Sequence, residues 1–583
     1  MSENKTRLKM KKVLWSLLAL ALLWACQARK KKSTDSDITK AIPVMCAPKG
    51  KAVDALADTD QPAPVFTGLG DYDFPITTKS EEAQQFFLQG VKLANGFNHA
   101  EAARSFLYAI KLDPGCAMCH WGLAYVLGPN YNMGMDPAVV EVANESVAKA
   151  LKYMGNTTAR EQALIRAIAR RYPPEPVEDR SEYDEAYIEG MRQARRQFPD
   201  DDDIAAMLAE AIMDAHPWDL WSFEGEPRPW TPEILEILEG ILQRNPGHVL
   251  AIHLYIHATE ASQAPELAMA YAARLPKLTP GAGHLVHMPS HTYIRTGDYH
   301  LGSMVNAAAV EVDSLYVSAC HAAGAYPLGL YPHNFHFLSA CAAFEGRSKL
   351  SLQAARRMVA KLDTLAMRQP GLETIQHYWS IPYYLYVKFG KWEEALAEPR
   401  PAEDLPYPIA IWHYARGVAY AAKGQPEDAR RELHRLRIAA ANPMVEGITI
   451  WDINSAASLL QIAGRVLEAE IANREGDAET AIRLLEEAIQ LEDGLSYNEP
   501  PDWFFSVRHH LGPILLAEKR YAEAEALYRR DLELFRKNGY ALKGLYESLM
   551  AQGRKEEAEE VKKRFEEAWQ WADVQLEASR VVG

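Results

Sequence analysis

An all-α solenoid of antiparallel helix pairs is the fold class the sequence predicts, on three observations. Counting from Ala83, the residues Gly90, Ala102, Phe106, Ala109 and Pro114 fall at positions 8, 20, 24, 27 and 32 of a 34-residue unit. Small side chains there let two helices approach closely, and the proline ends the second helix. Pro246 and Pro280 lie one such unit apart and support the same register independently. Finally, no stretch carries the sustained apolar alternation of a sheet.

The N-terminal segment comes first in chain order. Lys5, Arg7, Lys9, Lys11 and Lys12 precede an apolar run from Val13 to Ala25 that is too short for a stable membrane span. The run ends Leu23-Trp24-Ala25-Cys26, which resembles a bacterial lipobox. That resemblance implies a lipoprotein signal peptide over residues 1–25 and Cys26 as the lipidated first residue of the mature chain. An ordinary signal peptide or an uncleaved anchor is the alternative. Gln27, rather than Asp, implies release to the outer membrane if the cell is Gram-negative, and the chain's expected place is the bacterial cell envelope, at the outer membrane facing the periplasm. The lipid would be its only membrane contact. Residues 26–75, with a basic run at Arg29–Lys32 and Ser, Asp and Pro beyond it, read as a flexible tether.

The next two regions are helical. Residues 76–345 read as N-terminal repeats with loop insertions, and 346–583 as C-terminal repeats. Repeat fragments recur at Gly476-Asp477-Ala478 leading to Ala481, Leu485 and Ala488, at Leu511-Gly512 before Tyr521 and Ala524, and at Gly553 before Ala558. Gly128–Pro137, Tyr172–Arg180, His216–Pro232 and Leu495–Pro501 break the pattern and read as loops. The repeat resembles the tetratricopeptide repeat. Longer stretches resemble a broad family of bacterial tetratricopeptide proteins: Cys116-Ala-Met-Cys119-His-Trp-Gly122, His253-x-x-x-His257, the Pro280–His291 run and Asn538–Gly553.

The formal net charge of −15 is spread along the chain. Phosphate binding needs clustered Lys and Arg, so no nucleic acid partner is expected. The tetratricopeptide resemblance implies a concave groove lined by positions 2, 5, 9 and 12 of each first helix, and hence a protein or peptide ligand. Histidines fill those positions. Ten of the eighteen lie between His248 and His336. With Pro246 and Pro280 at position 32, His253, His257 and Glu260 take positions 5, 9 and 12 of one first helix. His284, His287 and His291 take positions 2, 5 and 9 of the next, although Pro289 within this set could displace the helix start. With Gly346 as the turn glycine, His333 and His336 take positions 2 and 5 of a third; Gly390 used likewise puts His377 at position 2. Such spacings share one helix face. Imidazoles from three neighbouring helices could meet around zinc, copper or iron, with Glu260 adding an oxygen. A polar groove whose histidines bond one another or a peptide is the alternative.

Cys116-Ala-Met-Cys119-His120 matches the haem-attachment pattern, with His120 as axial ligand. A Cys116–Cys119 disulfide or two inert thiols are the other readings. In that family resemblance an aromatic residue often stands where His120 is, which implies no haem. There is no phosphate-binding loop, His-Glu-x-x-His or Gly-x-Ser-x-Gly motif. Three functions therefore compete: a lipid-anchored binding or adaptor protein with a transition-metal site in the groove, a metal-dependent enzyme using the same His/Glu set, and a monohaem protein. In the enzyme the tryptophan-rich 216–230 insertion would serve as a lid.

Overall fold

A computed structural model describes residues 63–222, 225–320 and 326–581. Cys26, the signal segment and the tether up to residue 62 lie outside the described residues. From residue 63 the chain departs from the expected tether. It is an ordered strap: Phe74 is fully buried, stacked beside Trp121, and Gly281 donates its N–H to the Gly68 carbonyl at 2.8 Å.

Beyond the strap the chain is helical hairpin after hairpin. Glu81–Ala94 opens the first, capped by the Ser80 side chain and carrying Glu81 and Glu82 in its first turn, where they complement the helix dipole. It packs on His99–Leu112. A Cβ at Gly90 would stand 2.7 Å from the Phe106 ring and one at Gly122 2.4 Å from it, so Phe106 is wedged between two glycines. The same wedge recurs at the far end, where Tyr528 fills the space left by Gly512 and Gly544. The turn glycines expected at 346 and 390 have φ of +74° and +62°, which lets the chain reverse between paired helices. The fold is an all-α, tetratricopeptide-type solenoid. Its only strands among the described residues form two tiny hairpins, Thr449–Ile450 with Asn454–Ser455 and Leu576–Glu577 with Arg580–Val581. No described helix is long and apolar enough to cross a membrane.

Three first helices are buried on every side: Ala117–Leu127, Val249–Glu260 and Tyr331–Phe344. Buried apolar residues fall into two clusters, and the change comes between Met288 and Ile294 rather than at residue 345. The solenoid also closes on itself. Tyr299 donates to the Arg536 carbonyl, Lys537 pairs with Asp298, Tyr540 donates to the Ala343 carbonyl, and Asp573 caps Ser348. The 495–507 loop enters the concavity. The groove expected to be open to a ligand is therefore narrowed along the histidine helices, and most of its side chains there are buried.

Candidate metal centre

Register places the first set where it was expected. Val249–Glu260 starts at the predicted residue, with His248 as its cap. Pro289 does not unravel the second set, because Met288 between Gly283–His287 and Pro289–Thr296 keeps right-handed helical angles. Tyr331–Phe344 supplies His333. Three groups result, each with donor atoms within 4.8 Å of one another: His253, His257 and His284; His287, His291 and His333; and His257, Glu260 and His291. Every member is buried. The two triads stand side by side, with ring centroids 5.2 Å apart for His257–His291 and 5.7 Å for His284–His287. They lie at the seam between the two apolar clusters.

The orientation of the rings carries more than their proximity. His253 Nδ1 lies 2.7 Å from the Asn95 carbonyl and must donate to it. His257 Nδ1 donates to Glu260 Oε1 at 3.0 Å. His287 Nδ1 donates to Asn306 Oδ1 at 2.6 Å, while the Asn306 amide nitrogen is committed to the Gly302 carbonyl. His291 Nδ1 makes a close ion pair with Glu260 Oε2 at 2.5 Å, bent off hydrogen-bonding alignment, and a second with Glu499 Oε2 at 3.2 Å. With the Nδ1 atoms of His253, His257 and His287 protonated and their rings neutral, these three Nε2 atoms present lone pairs. Those of His253 and His257 have no partner, and both nitrogens of His284 are bare. His287 Nε2 and His291 Nε2 face each other at 3.0 Å. Without a metal, the extra proton of His291 sits between them, donated by His291 Nε2 to the His287 Nε2 lone pair; an ion bound here would take its place. Bonds of about 2.0–2.1 Å from one ion place neighbouring nitrogens about 3 Å apart, so this pair already has ligand spacing.

Burial, reinforced by neighbouring imidazoles, pushes His253, His284, His287 and His333 well below the usual histidine pKa, so they are neutral, the ligating form. At His291 burial opposes the charge, but Glu260 and then Glu499 outweigh it and raise the pKa to about 9. Burial would raise Glu260; His291 and His257 hold it down instead. Burial pushes Glu499 up to about 7. Arg295 donates to the Glu260 backbone carbonyl.

Some expectations need correcting. Glu260 keeps a place in one metal-capable group, as its spacing predicts, but its oxygens face two Nδ1 atoms, which also suits a carboxylate that orients rings and supports their basicity. His336 belongs to none of the three groups. Its ring stacks on Phe504 and lies 5.6 Å from His377, because successive helices turn about the solenoid axis and carry this position towards the next repeat. Cys116 and Cys119 are joined to each other in a buried disulfide, and His120 Nε2 is 3.1 Å from the Pro114 carbonyl. The disulfide alternative is thus the arrangement present. It leaves no thiol for haem attachment. No repeat position points to Glu499, Asn95 or Asn306, and in the sequence pattern Leu495–Pro501 is only a break between hairpins.

No protein-family model matches the chain, and no curated protein is significantly similar to it. Solved structures do align over most of its length. Yeast Tom70 is 12% identical over 84% of this chain and 91% of its own, with a TM-score of 0.26. The human IFIT1 dimer with m7Gppp-AAAA is 10% identical over 84% and 90%, with a TM-score of 0.29. The P58(IPK) TPR domain is 12% identical over 81% and 98%, with a TM-score of 0.22. At these scores nothing those proteins bind carries over to this chain.

Proposed function

We propose that the chain is a metalloprotein whose repeat array holds one or two transition-metal ions in the buried histidine cluster. The supporting observation is the shared orientation of the rings: the Nδ1 atoms of His253, His257 and His287 are each anchored by a carbonyl, carboxylate or amide oxygen, the Nε2 atoms of His253 and His257 have no partner, and that of His287 faces His291 Nε2 at 3.0 Å. That is the outer-shell pattern of metal-ligating histidine. An all-imidazole donor set suits zinc, copper or iron. Bare nitrogens so deeply buried are costly without a partner, and an ion would remove that cost.

Lipid anchoring through Cys26 in a bacterial envelope is proposed from the sequence motif. Cys26→Ser should release the chain from the membrane fraction, and a variant that stays in that fraction would remove the anchor from the reading. A protein or peptide partner is the other expectation from the repeat fold. An enzymatic role for the centre is the second reading, favoured by a cavity that touches His291 and His333.

Native purification of the full chain followed by elemental analysis tests the metal reading. At least one equivalent of zinc, copper or iron is expected, and the His257→Ala/His291→Ala double variant should lose it. Sub-stoichiometric metal that this variant leaves unchanged would defeat the proposal.

A further inference from the structure

Against the second triad lies a cavity of about 390 Å³, within the range of small-molecule sites. His291 and His333 form part of its lining. Its walls are aromatic. Phe97 and Tyr131 stand on one side, with Trp218 stacked on Tyr131 at 5.2 Å and edge-on to His257 at 5.8 Å. On the other side Trp451 lies edge-on to His333 at 6.4 Å.

The backbone around these rings is unusual. Seven non-glycine residues among those described have positive φ, and four line this cavity: Phe97 at 54°, Trp218 at 59°, Trp451 at 52° and Asp452 at 58°. Bulky aromatic residues rarely occupy that region, and such strain concentrates where a site must be held in shape. Trp451 and Asp452 are the two central residues of a turn closed by Ile453 N–H on the Ile450 carbonyl. A turn with both central residues left-handed favours Asn-Gly. This chain instead holds a tryptophan there, its backbone N–H donated to Thr374 Oγ1 at 2.7 Å. The strained turn is thus used to hold the indole at the cavity wall.

Charge narrows the occupant. No Lys or Arg lines the cavity, whereas Glu373 and Asp452 do, so away from His291 and the metal position beside it the walls offer no positive charge to a free phosphate or carboxylate. One buried acceptor, Asn132 Oδ1, has no partner and can receive a hydroxyl proton. We propose that this cavity binds a phenol-type molecule, its ring held between Trp218 and Trp451 and its oxygen reaching an ion on His287, His291 and His333. This assignment rests on the metal reading above.

The test uses the full chain loaded with copper(II), with metal content read first by elemental analysis. 4-Nitrocatechol reports the ring-bearing ligand by its absorption shift, and azide reports access to the metal without a ring. 4-Nitrocatechol should bind more tightly than azide. Trp451→Ala and Trp218→Ala should weaken it by at least about tenfold, the loss expected for a buried aromatic anchor, while azide affinity and copper content stay unchanged. Leu372→Trp, on a half-exposed loop at the cavity rim, should do the same by filling the space, and serves if a tryptophan variant misfolds. Copper-loaded protein in which azide binds but 4-nitrocatechol binds no better, or is indifferent to all three variants, would overturn the pocket and leave the metal centre standing. A chain that takes up no copper overturns both.

Discussion

Three histidines of the C-terminal hairpins, His413, His509 and His510, contrast with the buried ones of the central repeats. His509 is satisfied on both sides, Nε2 on Asp531 at 2.8 Å and Nδ1 beside Lys388 Nζ at 2.8 Å. His413 pairs with Glu432 at 2.5 Å and His510 with Glu470 at 2.7 Å. These rings act as ordinary polar struts of a repeat core. Between residues 253 and 291, His253 and His257 have one nitrogen anchored and the other bare, and His284 has both bare. The two regions share helix pairing, glycine wedges and closeness of imidazole to carboxylate. They differ in whether the protein completes the hydrogen bonding itself. Histidine density is therefore a poor guide to a metal centre, and so is a single bare Nε2, which His99, His336 and His377 also carry; donor atoms within 4.8 Å of one another are a better one.

The largest expected effect separates the two regions by what each loses. His284→Ala and His333→Ala, one from each triad, should each remove one ion and leave the other if the triads are independent positions. Elemental analysis reads this directly. His509→Ala should leave metal content intact but destabilise the fold by about 3 kcal/mol, because it strips a buried carboxylate of a partner. Denaturant melts of the metal-free chain check that figure. If His509→Ala lowered the metal content as much as His284→Ala, the contrast between the regions would collapse.

A second effect concerns acid. Glu470 is buried, which would raise its pKa, but Arg580 and then His510 hold it down to about 2. A folded-state pKa below the unfolded value means that the stabilisation is complete above about pH 4.5 and is lost as pH falls towards 2. The shift corresponds to about 3 kcal/mol. Glu470→Gln should flatten that part of the pH–stability curve, followed by circular dichroism in denaturant at fixed pH steps. An unaltered slope would show that the C-terminal hairpins do not depend on this ion pair.

Much of this contrast is legible in the amino-acid sequence. Proline spacing sets the register, and the register puts His253, His257, His284, His287, His291 and His333 on facing first helices, where they are found. It fails at His336 because repeat position alone does not encode how successive helices rotate about the solenoid axis. Residues outside the periodic pattern stay invisible. Asn95 approaches His253 from 158 residues away, and Glu499 comes from a loop whose sequence shows only a break. Trp451 sits in a turn where its residue type is disfavoured, so propensity hides it. Periodicity reports one face of one helix; the partners that make that face a site come from elsewhere in the chain.

The smallest effect tests whether Glu260 orients ligands or is one. Both its oxygens face Nδ1 atoms, of His257 and of His291, one ring in each triad. As an orienting carboxylate it raises the basicity of both rings and fixes their tautomers. Glu260→Gln keeps the shape and one acceptor but loses the charge, so metal affinity should fall by about 10–100-fold with the number of ions bound unchanged. Competition against a chelator of known affinity measures this. If Glu260 were itself a ligand, the same variant would instead lose an ion. A loss of one equivalent at saturating metal would therefore move Glu260 from behind the rings into the centre, and make its bridge between the triads a direct one.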